Sequence, residues 1–303
     1  MSKRTIAIIC GFFVALFYAY NFTAAKEVTP VHVGPFGLTW YRVLVTCAIF
    51  WIISIFAGPK QKVPLKELPQ IALAAFCGVG FNMVTFMWGL SKTSPISASV
   101  LMVSTPIIVL VLSAIFLKER LYATRIVGIL IGFSGAALLI LLSTGVGSQA
   151  TDPTLGNLLI FVNAVSYAFY ILLAKKLTAK YHVLTLMKWL YFFGLLFITP
   201  FGISQGLEFE FSTASTETLL NIGYVILFAT FGTYMLNIIA IRTLKPSVVA
   251  VFVYLQPLLA TLIAVGLGKD IITWQKAVAG LLIFTGVFLT GMKKRARIKH
   301  SSR

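Results

Sequence analysis

Acidic residues are scarce in this chain: 8 Asp and Glu among 303 residues, against 25 Lys and Arg, with only 3 His and 3 Cys. The cysteines, Cys10, Cys47 and Cys77, all fall in apolar runs, where a thiol packs as a small hydrophobe, and a disulfide scaffold is excluded. A membrane enzyme needs His, Asp, Glu or Cys gathered near one interface, and the sequence offers no such cluster. No cofactor or metal is called for. Nor does any Asp, Glu or His stand in the middle of an apolar run, so no buried carboxylate relay for protons is visible. Charged residues total 11% of the chain, far below the roughly 25% of an ordinary soluble domain.

What fills the chain instead is apolar: 59% of its residues, with mean hydropathy +0.95. Ten apolar runs stand between charged or Pro/Gly punctuation, at 6–25, 36–57, 68–90, 96–117, 123–142, 155–174, 183–201, 219–241, 247–267 and 272–292. Each is near the ~20 residues that carry a helix across a bilayer and too long for a barrel strand. Lipid offers the backbone no hydrogen bonds, so each run must be helical. The fold class is therefore an all-α polytopic membrane protein with ten transmembrane helices. Thr23–Ala24–Ala25 resembles a signal-peptide cleavage site, but the first run is long for a signal peptide and has a repeat partner, so it counts as a span.

Orientation follows from the cations. With the N-terminus in the cytoplasm, 19 of the 25 Lys and Arg fall in cytoplasmic segments and 4 in outer loops, while Arg42 and Lys188 lie within spans. The positive-inside rule then places both termini in the cytoplasm. The net charge of +17 is mainly a record of topology, with surplus cations available to anionic lipid at the cytoplasmic face. Spread over six short segments, these cations do not form the patch of a nucleic-acid binder.

The chain also matches itself. At an offset of 151, residues 100–138 align with 251–289 without gaps, pairing Pro106 with Pro257, Lys118 with Lys269, Glu119 with Asp270 and Gly135 with Gly286. At an offset of 149, Tyr18 pairs with Tyr167 and Lys26 with Lys175. In the second span of each half, Leu38–Thr39–x–x–Arg42 faces Leu184–Thr185–x–x–Lys188. The division is 1–143, a polar central loop at 144–154, and 155–303 with its basic tail. Five spans per half is an odd number, so the halves enter the membrane from opposite sides. That is an inverted repeat, the architecture of many secondary transporters.

Tyr20–Asn21–Phe22 followed by Lys26, then Pro35 and Arg42, then Gly89–Leu90, Pro106, Leu117–Lys118–Glu119, Gly128 and Gly135 form an ordered series. Pro246, Pro257, Asp270 and Gly286 repeat it in the second half. This series resembles the EamA-like branch of the drug/metabolite transporter superfamily over essentially the whole chain. Three positions depart from the pattern. Tyr18–Ala19 replaces an aromatic followed by Gly or Ser, Lys188 an arginine-like residue, and Asp270 a glutamate. The second half is thus the more diverged. The resemblance implies a secondary transporter of a bacterial inner (plasma) membrane, exporting or exchanging small metabolites, often amino acids.

Pro106 and Pro257 sit mid-span, and a proline there frees the carbonyl four residues back, that of Met102 or Val253. Such carbonyls are tolerable where they line a cavity, so the spans holding them are expected to border the substrate and flex; a static kink is the alternative. Polar stripes at helical spacing mark one face of several spans: Asn82, Thr85, Phe86 and Gly89; Asn163, Ser166, Tyr167 and Tyr170; Thr230, Thr233, Tyr234 and Asn237; Tyr254, Gln256, Pro257 and Thr261. Tyr18, Asn21, Asn82, Phe86, Met102, Thr105, Tyr167, Tyr170, Tyr234, Asn237, Tyr254 and Gln256 are the substrate-site candidates. Their amides, hydroxyls and rings suit a zwitterionic or mildly polar solute, although Ser, Thr and Asn also bond helix to helix. Arg42 and Lys188 either attract an anionic group or snorkel to the interface. Glu119 and Asp270, at span ends, either gate or pair with Lys118, Arg120 or Lys269. Gly128, Gly132, Gly135, Gly280 and Gly286 read as close-packing positions.

The expected activity is alternating-access transport of amino acids or related amphipathic metabolites, with export favoured. A lipid or lipid-precursor flippase on the same ten spans is the alternative. A channel lacks both a charged ring and a filter-like glycine run. The partners are the solute and the bilayer; the sequence leaves the oligomeric state open.

Overall fold

The computed structural model describes residues 3–56, 58–59, 61–117, 123–142, 150–237 and 246–291. Helix is the only regular structure among the described residues. The helices are α1 (Lys3–Val28), α2 (Pro35–Phe56), α3 (Leu68–Ala75), α4 (Phe81–Lys92), α5 (Pro95–Met102) and α6 (Thr105–Leu117), then α7 (Ala123–Leu142), α8 (Pro153–Lys180) and α9 (Val183–Leu207). They continue with α10 (Thr216–Ile226), α11 (Pro246–Gly266) and α12 (Trp274–Gly291). Seven helical segments among the described residues are long and apolar enough to cross a membrane: Thr5–Val28, Pro35–Phe56, Leu65–Lys92, Pro95–Phe116, Pro153–Lys180, Val183–Leu207 and Thr216–Asn237. Ile126–Leu138 and Leu255–Gly266 are shorter apolar helical stretches.

Local sequence marks where these helices begin. Proline opens α2, α5, α8 and α11, where its fixed φ suits the first turn and its missing N–H has no bond to lose. Side chains cap three others or the same ones: Ser94 accepts from the Ser97 N–H, Asp152 from the Leu155 N–H and Ser215 from the Thr218 N–H. The outward faces carry large apolar side chains, with Phe56, Ile55, Leu220 and Phe288 all exposed, as a lipid-facing surface requires.

Two helix pairs form the scaffold. Helix α2 lies antiparallel to α9, with Phe36 beside Gln205, Trp40 beside Thr199 and Trp51 beside Trp189. Helix α7 lies antiparallel to α12 through glycines. A Cβ on Gly286 would stand 2.6 Å from the Gly128 carbonyl and from the Gly132 Cα, and one on Gly135 would stand 2.8 Å from the Ala279 carbonyl. The remaining helices pack in matching ways: α1 against α10 and α11, and α8 against α4, α5 and α6.

Two wide, π-helical turns interrupt the series. Phe76–Gly80 joins α3 to α4, and Leu227–Gly232 follows α10, before helix resumes to residue 237. The prolines act differently from the symmetric expectation. Before Pro106 the helix stops at Met102, turns through Val103 and Ser104, and restarts at Thr105. The Ser104 hydroxyl donates to the Leu101 carbonyl at 2.6 Å, which stabilises that turn. Pro257 instead lies within α11, whose helix runs unbroken on both sides of it.

Gly286→Val should cost about 1–3 kcal/mol, because the added methyls meet backbone that cannot yield. Gly223→Ala, where nothing lies within 4 Å of the added carbon, should gain up to about 1 kcal/mol of helix propensity. Thermal unfolding of the detergent-purified variants checks both; equal melting points for the two would sink the packing account.

Candidate functional site

Arg42 stands in the middle of α2 and is 4% exposed. It does not snorkel. Its Nε donates to the Thr230 hydroxyl oxygen at 2.9 Å, and its Nη1 donates to the Met87 sulfur at 3.1 Å. Thr230 can accept because its own hydroxyl hydrogen goes to the Val225 carbonyl, 2.7 Å away. The wide turn at Leu227–Gly232 thus presents an oriented acceptor to the guanidinium. The phenols of Tyr191, Tyr18 and Tyr234 lie near enough to act on its charge. The Tyr191 ring meets Tyr234 edge-on at 5.3 Å and leans on Phe50 at 5.2 Å.

The aromatic wall continues along α8, where Tyr167 and Tyr170 lie 5.7 Å apart. Tyr170 packs onto Gly78, in the first wide turn, where a side chain would collide with its ring. The carbonyls that this turn displaces find donors on other helices: Ser166 donates to Cys77 at 2.8 Å, and Tyr234 to Gly78 at 3.3 Å. Tyr18, Tyr167, Tyr170 and Tyr234 lie deep among the helices, yet each keeps part of its surface accessible. Side chains that are both deep and accessible line an internal cavity. Such a site offers one cation, several hydroxyls and ring faces, which can hold a small organic solute.

Of the sequence candidates, the structure gathers Tyr18, Tyr167, Tyr170 and Tyr234 into one group of phenols, of which Tyr18 and Tyr234 lie near Arg42. Others are placed differently. Asn82 and Asn163 clasp α4 to α8, each amide nitrogen donating to the other's backbone carbonyl, at 3.1 and 2.6 Å. The Asn82 amide is thus committed to helix packing. Asn21 is 1% exposed, and neither atom of its amide has a partner among the described residues. Phe86 packs on Phe22 at 5.6 Å, Thr105 is buried with its hydroxyl unpartnered, and Met102, Pro106, Asn237 and Gln256 are half-buried. Pro257 is buried. Glu119 and the side chain of Tyr254 lie outside the described residues. Lys188, the counterpart of Arg42, is not in the cavity: its ammonium sits over the Trp51 ring at 5.1 Å. Sequence reasoning missed Tyr191 and Met87. Tyr191 stands one turn past Lys188, within an aromatic run that reads like any lipid-facing face.

One end of the bundle is tied shut by charge. Asp270 is not paired with Lys269; it accepts from Lys276 at 2.6 Å, with both side chains buried. The same carboxylate accepts the Ile96 N–H at 3.1 Å, at the start of α5, and so links the start of α12 to that of α5. Lys26 donates to the Ser91 carbonyl at 2.6 Å, joining α1 to α4. Lys269 pairs with Glu27 at 2.9 Å, and that carboxylate raises the Lys269 pKa above its ordinary value. Gln205 closes the same end from α9 by accepting the Phe36 and Gly37 N–H groups.

Comparison with known proteins adds three findings. The sequence profile of the EamA-like transporter family matches the chain twice, over residues 5–141 and 154–292. Relatives include the "Uncharacterized transporter YetK" of Bacillus subtilis, 25% identical over 76% of this chain and 70% of its own length. The "Probable terminal-alkyne amino-acid exporter" of Streptantibioticus cattleyicolor is 26% identical over 89% of this chain and 88% of its own. The "Uncharacterized inner membrane transporter YedA" of Escherichia coli is 28% identical over 84% of this chain and 81% of its own. A solved crystal structure shares the fold, with a TM-score of 0.62 at 20% identity, covering 95% of this chain and 97% of that one.

Asn82→Ala should destabilise the protein by about 1 kcal/mol, because it removes the amide bond to the Asn163 carbonyl that joins α4 to α8. The melting point should fall. An unchanged melting point, with solute binding lost, would assign Asn82 to the substrate instead.

Proposed function

The chain belongs to the EamA-like transporter family, and on that footing we propose that it moves small amphipathic metabolites, amino acids or close relatives of them, across the membrane by alternating access. The observation that carries this reading is a deep cavity of tyrosines around one buried guanidinium, sealed from one end of the bundle by buried ion pairs and hydrogen bonds. A carrier needs such a site together with two alternative closures.

Ten spans in two inverted halves supply the second closure. The duplicated family match, the antiparallel contact of α2 with α9 and of α7 with α12, and the matched packing of α1 and α8 all support that architecture. So do the two wide turns, whose first residues, Phe76 and Leu227, stand at the same offset of 151 that aligns the halves. In this reading Pro106 and Pro257 mark the spans that flex, and Asp270 holds the closed end. The cytoplasmic placement of both termini rests on the distribution of cations. Export is favoured because one relative is named an amino-acid exporter. A flippase would present its polar site laterally to lipid. Two open grooves among the described residues, of about 370 and 420 Å³, are mostly apolar and are lined by residues other than Arg42.

Counterflow of labelled amino acids into proteoliposomes tests the transport reading. Movement of a labelled lipid with no solute counterflow would replace it with the flippase. The closure has its own test. With Cys10, Cys47 and Cys77 replaced by alanine, a cysteine introduced by Ser97→Cys should react with a thiol reagent about tenfold faster, or more, once Asp270→Asn breaks the buried pair. Ser97 is 2% exposed beside that pair, so an unchanged rate would remove Asp270 from the closure.

A further inference from the structure

We propose that Arg42, together with the Tyr191 hydroxyl, binds the carboxylate of the transported solute and thereby makes the carrier selective for acids and zwitterions over organic cations. This inference rests on the transporter reading and names the substrate class of the same site.

The argument begins with an uncompensated charge. Among the described residues there are three ion pairs, Lys180 with Glu67, Lys269 with Glu27 and Lys276 with Asp270, and none involves Arg42. The neighbours of its guanidinium are a threonine, a thioether and neutral phenols. A buried cation without a counter-charge is a costly arrangement, and in membrane proteins such a residue marks a ligand or ion path.

Hydrogen bonding narrows the choice of ligand. A guanidinium has five N–H groups in one plane. Nε is satisfied by Thr230, and Nη1 meets only a sulfur, which is a weak acceptor. Nη2 has no partner among the described residues. The Tyr191 phenol lies near the guanidinium and edge-on to Tyr234, and its hydroxyl makes no close hydrogen bond among the described residues. A cationic donor with a neutral donor in its neighbourhood suits a single group that accepts from both. A carboxylate does so, because its two oxygens match the guanidinium edge and keep a lone pair for the phenol. One fixed cation also matches one negative charge, whereas a doubly charged phosphate would remain half-neutralised.

The second half of the chain adds no further cation, since Lys188 is turned to Trp51. The organic part of the solute meets Tyr18, Tyr167 and Tyr170, whose faces are accessible in the cavity.

The test uses three solutes that share a ring and differ in charge: L-phenylalanine, 3-phenylpropionate and phenethylamine, supplemented by the other standard amino acids. Each is titrated against the purified protein by thermal shift and assayed by counterflow in proteoliposomes. The wild type should be stabilised by acids and zwitterions and not by phenethylamine. Arg42→Gln should lose the response to every acid, and Arg42→Lys should recover it in part. Tyr191→Phe keeps the cation and the fold intact, and should weaken acid binding about tenfold. Stabilisation of the wild type by phenethylamine equal to that by the acids would overturn the proposal. So would a response to none of the acids, or acid binding undiminished in both Arg42→Gln and Tyr191→Phe. Acid binding that needs Arg42 but brings no counterflow would refute transport and leave the carboxylate site standing. Counterflow of acids that survives in Arg42→Gln would do the reverse.

Discussion

A guanidinium buried among helices that turn leucine and phenylalanine to the outside is a costly group, and its surroundings are arranged to bear it. Moving such a cation from water into a low-dielectric interior costs several kcal/mol after relaxation. Arg42 has three kinds of relief within reach: an oriented hydroxyl, a polarisable sulfur and the oxygens of phenols. They come from α1, α4, α9 and the span Thr216–Asn237, which holds both Thr230 and Tyr234. The hydroxyl is available only because the chain widens into a π-helical turn at Leu227–Gly232 and Thr230 spends its own hydrogen on Val225. Local irregularity and central electrostatics are therefore one feature.

The remaining charges are kept apart from this centre. Ion pairs lie at the ends of the helices, where water is near and where a pair can separate. The exception in burial is Asp270 with Lys276, which is fully enclosed and also fastens the start of α5. Breaking it requires water to reach both groups together, so it suits a closure with two definite states better than a gradual one. The glycine contact between α7 and α12 has the opposite character. Backbone lies on backbone there with no side chain to rearrange, which suits a fixed scaffold.

Much of the fold was legible in the sequence because lipid imposes a simple rule. Apolar runs of the right length must be helices, and the helices occur where the runs stand. Gly128, Gly132, Gly135 and Gly286 marked faces that pack closely, since only small residues allow that approach, but not which helix meets which. The cavity was half legible. Arg42 was marked by its charge, and Tyr167, Tyr170 and Tyr234 by helical spacing, but spacing cannot tell which neighbour a face meets. Asn82 carried the same signal and went to helix packing, because an amide satisfies a backbone as readily as a solute. The wide turns were invisible: Phe76–Gly80 and the five residues from Leu227 match at no position, although they hold equivalent places. Backbone geometry was preserved there without side-chain identity, and identity is all that a self-comparison can detect.

The cation at the centre of the bundle has an electrical consequence. A site that opens alternately to two compartments takes its fixed charge from one side of the membrane field to the other, whether or not the residue itself moves far. An empty carrier then bears one positive charge at the site, and a carrier loaded with a monovalent acid bears none. A charge crossing the full field is worth about 2.3 kcal/mol per 100 mV. Membrane potential would therefore act on the return of the empty site rather than on the loaded step, drawing the unloaded form toward the negative compartment, while a zwitterion would leave the charge in place on both halves of the cycle. Arg42 would make the voltage dependence of this protein a reading of its cargo.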